Sequence, residues 1–153
     1  MEVILFVGLQ ASGKSTFYRN HFANTHTLIS KDLMRNNKRP QRRQMRLLRE
    51  ALERGENVVI DNTNPAPEDR IPLIECAREH SANVVGYFFQ STLEDSKQRN
   101  AQREGKARVP DVALYTTIRK LEPPNKEEGF DALYAVELQG KETIEVVVHQ
   151  LHP

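Results

Sequence analysis

A chain of 153 residues, 28% of them charged and with a formal net charge of +1, has room for one hydrophobic core and no second one. That balance excludes a uniformly basic nucleic-acid binder, so any polynucleotide contact must be local. The single cysteine, Cys76, excludes an internal disulfide and suits a reducing compartment. Met1-Glu2 opens on an acid, the apolar run behind it is too short for an export signal, and no stretch reaches the length of a membrane span. The expectation is a cytoplasmic protein without membrane contact, one domain over residues 1–153.

The first element is Val3-Ile4-Leu5-Phe6-Val7, a continuous apolar run of the kind that a buried parallel strand shows. It leads into Gly8-Leu9-Gln10-Ala11-Ser12-Gly13-Lys14-Ser15-Thr16, which fits G-x-x-x-x-G-K-[ST], the phosphate-binding loop. Gly8 and Gly13 let the backbone wrap a phosphate in conformations that a Cβ would forbid. The loop N–H groups and the start of the next helix then point at the anion. Lys14 is placed to reach the β- and γ-phosphates, and the Ser15 hydroxyl to ligate Mg²⁺. Residues 14–22 hold Phe17, Tyr18 and Phe22 without Gly or Pro, which suits the helix that must follow. A chance Gly/Ser turn does not bring strand, loop and helix in this order. The nucleotide-binding set is therefore Gly8, Gly13, Lys14, Ser15 and Thr16.

Thr27-Leu28-Ile29-Ser30 reads as a short second strand, which puts Asp32 at a carboxyl end, where ligands sit in open α/β sheets. Residues 31–54 follow, with nine Lys or Arg against Asp32, Glu50 and Glu53, a local net charge of about +6. Within them Met45, Leu48 and Leu52 mark an amphipathic helix from about Gln41, ended by Gly55. Its charge fits a solvated face and a polyanion footprint equally well.

Residues 56–61 read as a third strand ending in Asp61, the Walker-B pattern, in which the acid holds Mg²⁺ directly or through water. The polar turn Asn62-Thr63-Asn64-Pro65 follows, and Pro65, Pro67 and Pro72 blur the start of the next helix, which includes 71–80. Cys76 falls in that helix, where a free thiol is most often a packing residue. Val84-Val85-Gly86-Tyr87-Phe88-Phe89 is the fourth strand, and Ser91-Thr92-Leu93-Glu94 resembles a capping box that starts a helix. On that helix Arg99 and Arg103 share a face. Gly105 and Pro110 bracket the basic break Lys106-Ala107-Arg108, and Pro110 opens a further helix to about Leu121. A last strand over 132–138 is expected to pair with 143–149 through the turn Gln139-Gly140-Lys141. Strands and helices alternate without an internal repeat, so the class is α/β with a mainly parallel sheet.

Phosphoryl transfer needs a base near the attacking oxygen, a metal on the phosphates and cations over the transferring group. Asp32 is the candidate base, although an aspartate there also serves as an ordinary turn residue. Arg99 and Arg103 fit a lid over the phosphates as well as an exposed basic helix face. The Gly-Lys-Ala-Arg-Val-Pro segment behind them, a plausible hinge, favours the lid.

Taken in order, the P-loop, Lys31-Asp32-x-x-Arg35, Val59-Ile60-Asp61-Asn62-Thr63-Asn64-Pro65, Arg99-Asn100-x-x-Arg103, Val109-Pro110 and Glu128-Gly129-Phe130 resemble the kinase domain of polynucleotide 5′-hydroxyl kinases. The set is similar both to the phage enzyme and to the kinase half of the animal bifunctional kinase/phosphatase, and it spans the chain to about residue 138. The resemblance implies a P-loop NTPase-type three-layer fold with helices on both faces of the sheet, ATP and Mg²⁺ as cofactors, and a DNA or RNA 5′-OH end as acceptor. It implies Asp32 as general base, Lys14 and Arg103 as catalytic cations, Arg99 beside the nucleotide, and Ser15 and Asp61 at the metal. Arg35 would meet the acceptor phosphate next to the hydroxyl, with Asn62 and Asn64 on the same side. Lys31 replaces the family's usual Arg, and the phage pattern puts its acid at the position of Asn62. No phosphatase or ligase module accompanies the kinase, so healing of a 3′-phosphate is not expected of this chain.

Two other readings stand beside a polynucleotide kinase. One is a P-loop kinase acting on a small hydroxyl compound such as a sugar. The other is a nucleotide-binding regulatory module, against which stand the absence of an Asn-Lys-x-Asp motif and the idleness of Asp32 and the arginines in a pure binder.

Overall fold

In the computed structural model, residues 1–34, 38–139 and 145–151 are described. The sheet is built from β1 (Glu2–Gly8), β2 (Thr27–Ile29), β3 (Val58–Ile60), β4 (Asn83–Phe89), β5 (Ala132–Gln139) and β6 (Glu145–Gln150). The helices are α1 (Lys14–His21), α2 (Pro40–Glu53), α3 (Pro67–Glu79), α4 (Leu93–Ala101) and α5 (Asp111–Lys120). The strand order is β2-β3-β1-β4-β5-β6, with every pair parallel except β5 and β6.

The apolar runs act as expected of strands covered on both faces. Alternate residues Val3, Leu5, Val58, Ile60 and Val84 pack with Leu48, Leu52, Leu73 and Ala77 from α2 and α3. The intervening Ile4, Phe6, Val59 and Val85 pack with Phe17, Tyr18 and Phe22 from the α1 side. This is a three-layer α/β fold with a mostly parallel sheet. Chain order reverses at β1, which lies between β3 and β4. In such sheets the crevice at the carboxyl ends beside the reversal is the ligand position. The P-loop, Asp61 and the 3-10 turn Lys31–Met34 all emerge there. No helix among the described residues is long and apolar enough to cross a membrane.

Several local expectations are corrected. The buried stripe of α2 is Gln44, Leu48, Ala51 and Leu52, with Met45 only half-buried, because an inward amide replaces the methionine at the first position. The third strand stops at Ile60, so Asp61 follows it. The cap of α4 is Thr92, whose hydroxyl accepts from the Asp95 N–H at 3.1 Å, while Ser91 instead meets Ser96 Oγ at 2.7 Å. Because α4 ends at Ala101, Arg103 lies past the helix and shares no helical face with Arg99. Pro67 opens α3 at its first turn, and Pro72 is accommodated inside it. β6 pairs with β5 as expected, with Val136 opposite Val148, but Gly140 and Lys141 of the connecting turn lie outside the described residues.

Candidate active site

The P-loop begins where β1 ends. Gly8 has φ +154°, and a Cβ there would stand 2.9 Å from the Phe89 carbonyl oxygen on the neighbouring strand. Gly13 is left-handed at φ +98° and leads into α1. Both glycines are thus required by backbone geometry. Lys14 folds back across the loop, its Nζ donating to the carbonyls of Gly8 at 3.1 Å and Leu9 at 2.5 Å. Burial lowers its pKa to about 8, opposed by the negative charges of Asp61 and Asp32 and reinforced by Arg103. Those four groups therefore feel one another electrostatically.

Ser15 Oγ donates to Asp61 Oδ2 at 2.9 Å. Asp61 is 7% exposed, and burial raises its pKa despite Lys14 and the Ser15 hydrogen bond. A hydroxyl and a carboxylate side by side, the second held in a place that disfavours its charge, form a hard-oxygen pair. This set fits Mg²⁺, which takes one or two protein ligands and completes its octahedron with water and phosphate oxygens.

Asp32 is exposed on the 3-10 turn that follows β2. Its turn is positioned from below: the Lys31 N–H donates to Asn62 Oδ1 at 2.8 Å, and the Asp32 N–H to Ser30 Oγ at 3.3 Å. Asn62 Nδ2 in turn donates to Gln44 Oε1, a buried side chain of α2. Asn62 is therefore a brace between the Asp61 loop and the Asp32 turn. A cavity of about 710 Å³ is lined by Lys14, Ser15, Asp61 and Asn62 on one side and by Lys31, Asp32 and Arg103 around them. Thr16 also lines it.

Not every residue singled out from the sequence reaches this cavity. Asn64 is 3% exposed, left-handed at φ +43°, and its Nδ2 donates to the Phe6 carbonyl at 2.8 Å. It locks the Asp61 loop to β1, so its side chain is not available to an acceptor. Arg99 lies behind the loop, its Nη1 3.2 Å from Ser91 Oγ and 3.4 Å from the Ala11 carbonyl. Arg103 is half-buried on the segment beyond α4, 3.4 Å from the Ala107 carbonyl. Arg35 lies outside the described residues.

Three residues were given no role from the sequence. Gln10 stands at a free position of the motif, yet it lines the cavity and donates to Thr117 Oγ1 of α5 at 3.0 Å. Thr117 spends its own proton on the Ala113 carbonyl, which fixes the amide orientation, and Gln10 Oε1 is buried without a partner among the described residues. Asn100 is fully buried and clasps Val109 through both its N–H and its carbonyl. Gln44 had a readable signal, a polar residue four before Leu48 on the apolar stripe.

Comparison with known proteins agrees with this fold. Over 133 residues, 84% of this chain, the sequence is 28% identical to the bifunctional polynucleotide phosphatase/kinase of Schizosaccharomyces pombe, of which the match covers 32%. The chain spans about a third of the length of the first curated relatives that it matches. Among solved structures, a fungal RNA kinase superposes with a TM-score of 0.71 at 17% identity, over 92% of this chain and 39% of that one. A gluconokinase from Sinorhizobium meliloti 1021 gives 0.66 at 21% identity, over 89% and 82%. At these identities the two structures speak for the fold alone. A family model described as AAA domain matches residues 3–124, from the first strand through the P-loop, Asp32, Asp61 and Arg103 to the end of α5, and the chain belongs to that family.

Proposed function

We propose that the protein is an ATP-dependent kinase that phosphorylates the 5′-hydroxyl end of a DNA or RNA strand, a reaction of nucleic-acid repair. The observation that carries this reading is the single cavity in which Lys14, Ser15 and Asp61 face Asp32 and Arg103. A phosphate donor on the loop and an alcohol beside the carboxylate would meet there. The name and similarity of the fission-yeast relative support a polynucleotide as the acceptor.

In this mechanism the P-loop amides and Lys14 hold the β- and γ-phosphates, Lys14 exchanging the Gly8 and Leu9 carbonyls for phosphate oxygens. Mg²⁺, held by Ser15 and Asp61, would neutralise charge on the same phosphates. The 5′-oxygen attacks the γ-phosphorus and its proton passes to the Asp32 carboxylate. The bond to the β,γ-bridging oxygen breaks and ADP leaves with that electron pair. Arg103, which lines the same cavity, would supply the cation that stabilises the charge on the transferring oxygens.

The test is incubation with γ-labelled ATP, Mg²⁺ and oligonucleotides carrying 5′-OH or 5′-phosphate ends. Label is expected on 5′-OH ends alone. Because Asp32 would serve any alcohol, a small hydroxyl metabolite is the alternative acceptor. Label on a sugar and on no oligonucleotide would replace the proposal, and no transfer to anything would return the protein to a nucleotide-binding role.

A further inference from the structure

The charge on α2 runs against its own helix. Arg39 is the N-cap, and Arg42 and Arg43 follow in the first turn, which has no acid. Glu50 and Glu53, the only carboxylates of the helix, both sit toward its C-terminal end. A helix macrodipole favours the opposite order. A face that merely keeps the protein in solution gains nothing from this arrangement. An anion beside the first turn gains twice, from the dipole and from the guanidinium groups.

Geometry gives the arrangement a direction. Gln44 faces inward, 1% exposed, and is bonded to Asn62, which also accepts from the Lys31 N–H. The N-terminal half of α2 is thereby pinned next to the turn that carries Asp32. On the other face Arg42, Arg46 and Arg49 are exposed at i, i+4 and i+7, flanked by Arg39 and Arg43. All five line one open groove of about 490 Å³. Of Arg42, Arg43, Arg46 and Arg49, only Arg46 approaches a carboxylate among the described ion pairs, Glu50 at 3.9 Å. From Arg39 to Arg49 the row runs ~15 Å along the helix at 1.5 Å per residue, leading away from the Asp32 turn. Arginine forks suit phosphate oxygens better than lysine does.

We infer that this outer face of α2 is a track for the phosphate backbone of the acceptor strand, beyond the terminal nucleotide that Asp32 serves. The inference rests on the proposed kinase reading and sharpens it: the acceptor is a strand several nucleotides long. The occupant is a nucleic-acid strand because the row is linear, starts at the end of α2 that Gln44 and Asn62 pin to the Asp32 turn, and is several charges long, whereas a single metabolite phosphate would engage one end of it.

The experiment measures kcat and KM for 5′-OH acceptors from a dinucleotide to a dodecanucleotide, at several salt concentrations. It compares the wild type with the Arg42→Gln/Arg46→Gln/Arg49→Gln variant and with the corresponding triple Lys variant. Wild-type KM is expected to fall with length and then level off. The Gln variant should raise KM for the dodecamer about tenfold or more with little change in kcat, an effect that shrinks as the acceptor shortens. At about 0.7 per phosphate contact on a single strand, the slope of log(1/KM) against log[salt] should flatten by about 2. The Lys variant should keep most of the salt slope, which separates lost charge from a damaged helix. An equal loss at every length, an unchanged salt slope, or no effect of the Gln variant would overturn the track. Absence of transfer to any wild-type oligonucleotide acceptor would instead overturn the kinase reading on which it rests.

Discussion

Lys14 is held ready for an anion at a cost. Its ammonium is buried against backbone carbonyls, and desolvation brings its pKa from 10.5 to about 8 although Asp61 and Asp32 pull the other way. The folded value lies below the unfolded one, so the unfolded chain binds more protons between them. The destabilisation from Lys14 is complete below pH 8 and shrinks as pH rises toward 10.5. A triphosphate has the opposite preference and favours the charged amine. Nucleotide affinity should therefore be flat up to about pH 8 and fall above it, toward about tenfold per pH unit, with proton uptake on binding. Calorimetry at pH 9 in two buffers of different ionisation enthalpy reads that uptake directly; identical heats in the two would contradict it. Asp32→Asn is expected to reduce turnover by about 10²- to 10⁴-fold while nucleotide affinity stays near wild type, since the carboxylate would act on the acceptor. Normal turnover in that variant would remove Asp32 from the base role. Lys14, Ser15 and Asp61 were legible because binding a triphosphate restricts residue type and spacing. Gln10 was not, because the motif leaves its position open. Asn64 misled for a physical reason: an amide aimed at a backbone carbonyl has the same sequence signature as one aimed at a ligand.

Helix ends were harder to read than helices. Ser91 and Thr92 are both good caps, and the choice goes with side-chain contacts to α4 itself, Ser91 being engaged with Ser96 and Arg99. At its other end α4 stops at Ala101, and Arg103 belongs to the segment that Asn100 closes by bonding Val109 at 2.7 Å and 3.0 Å. That clasp closes the segment on which Arg103 sits, so it is expected to act through Arg103. Asn100→Ala should lower kcat by a factor similar to Arg103→Ala, and the Asn100→Ala/Arg103→Ala pair should be little worse than Arg103→Ala alone. Losses that simply multiply would show that Asn100 acts on something other than Arg103. Near-UV circular dichroism of the single variant checks that the core is intact.

Over the whole molecule, the alternation of apolar runs and helices made the parallel sheet legible, since buried strands and amphipathic helices leave different periods. The link between distant loops was hidden, because Arg70 reads as an ordinary charge on a surface helix. It is instead fully buried. Its Nε and Nη2 grip Glu128 at 2.7 Å and 3.1 Å, while Nη1 donates to the carbonyls of Asn64 at 2.9 Å and Glu122 at 3.1 Å. One guanidinium thus ties α3 to the Asp61 loop, to the segment after α5 and to the 3-10 turn Lys126–Glu128. Arg70→Ala would leave the Glu128 carboxylate, with 7% side-chain exposure, and two carbonyls without their donor. Removing one partner of a buried pair typically costs about 3–5 kcal/mol. Arg70→Lys should recover only part of that, since an ammonium cannot reproduce the two-pronged grip together with both carbonyl bonds. Urea unfolding measures the stability loss, and Mg²⁺-dependent nucleotide binding measured well below the transition should weaken in parallel, because Asn64 and Asp61 share the released loop. A stability loss without any change in nucleotide binding would mean that Asn64's bond to Phe6 holds the Asp61 loop unaided, and that Arg70 supports the fold but not the site.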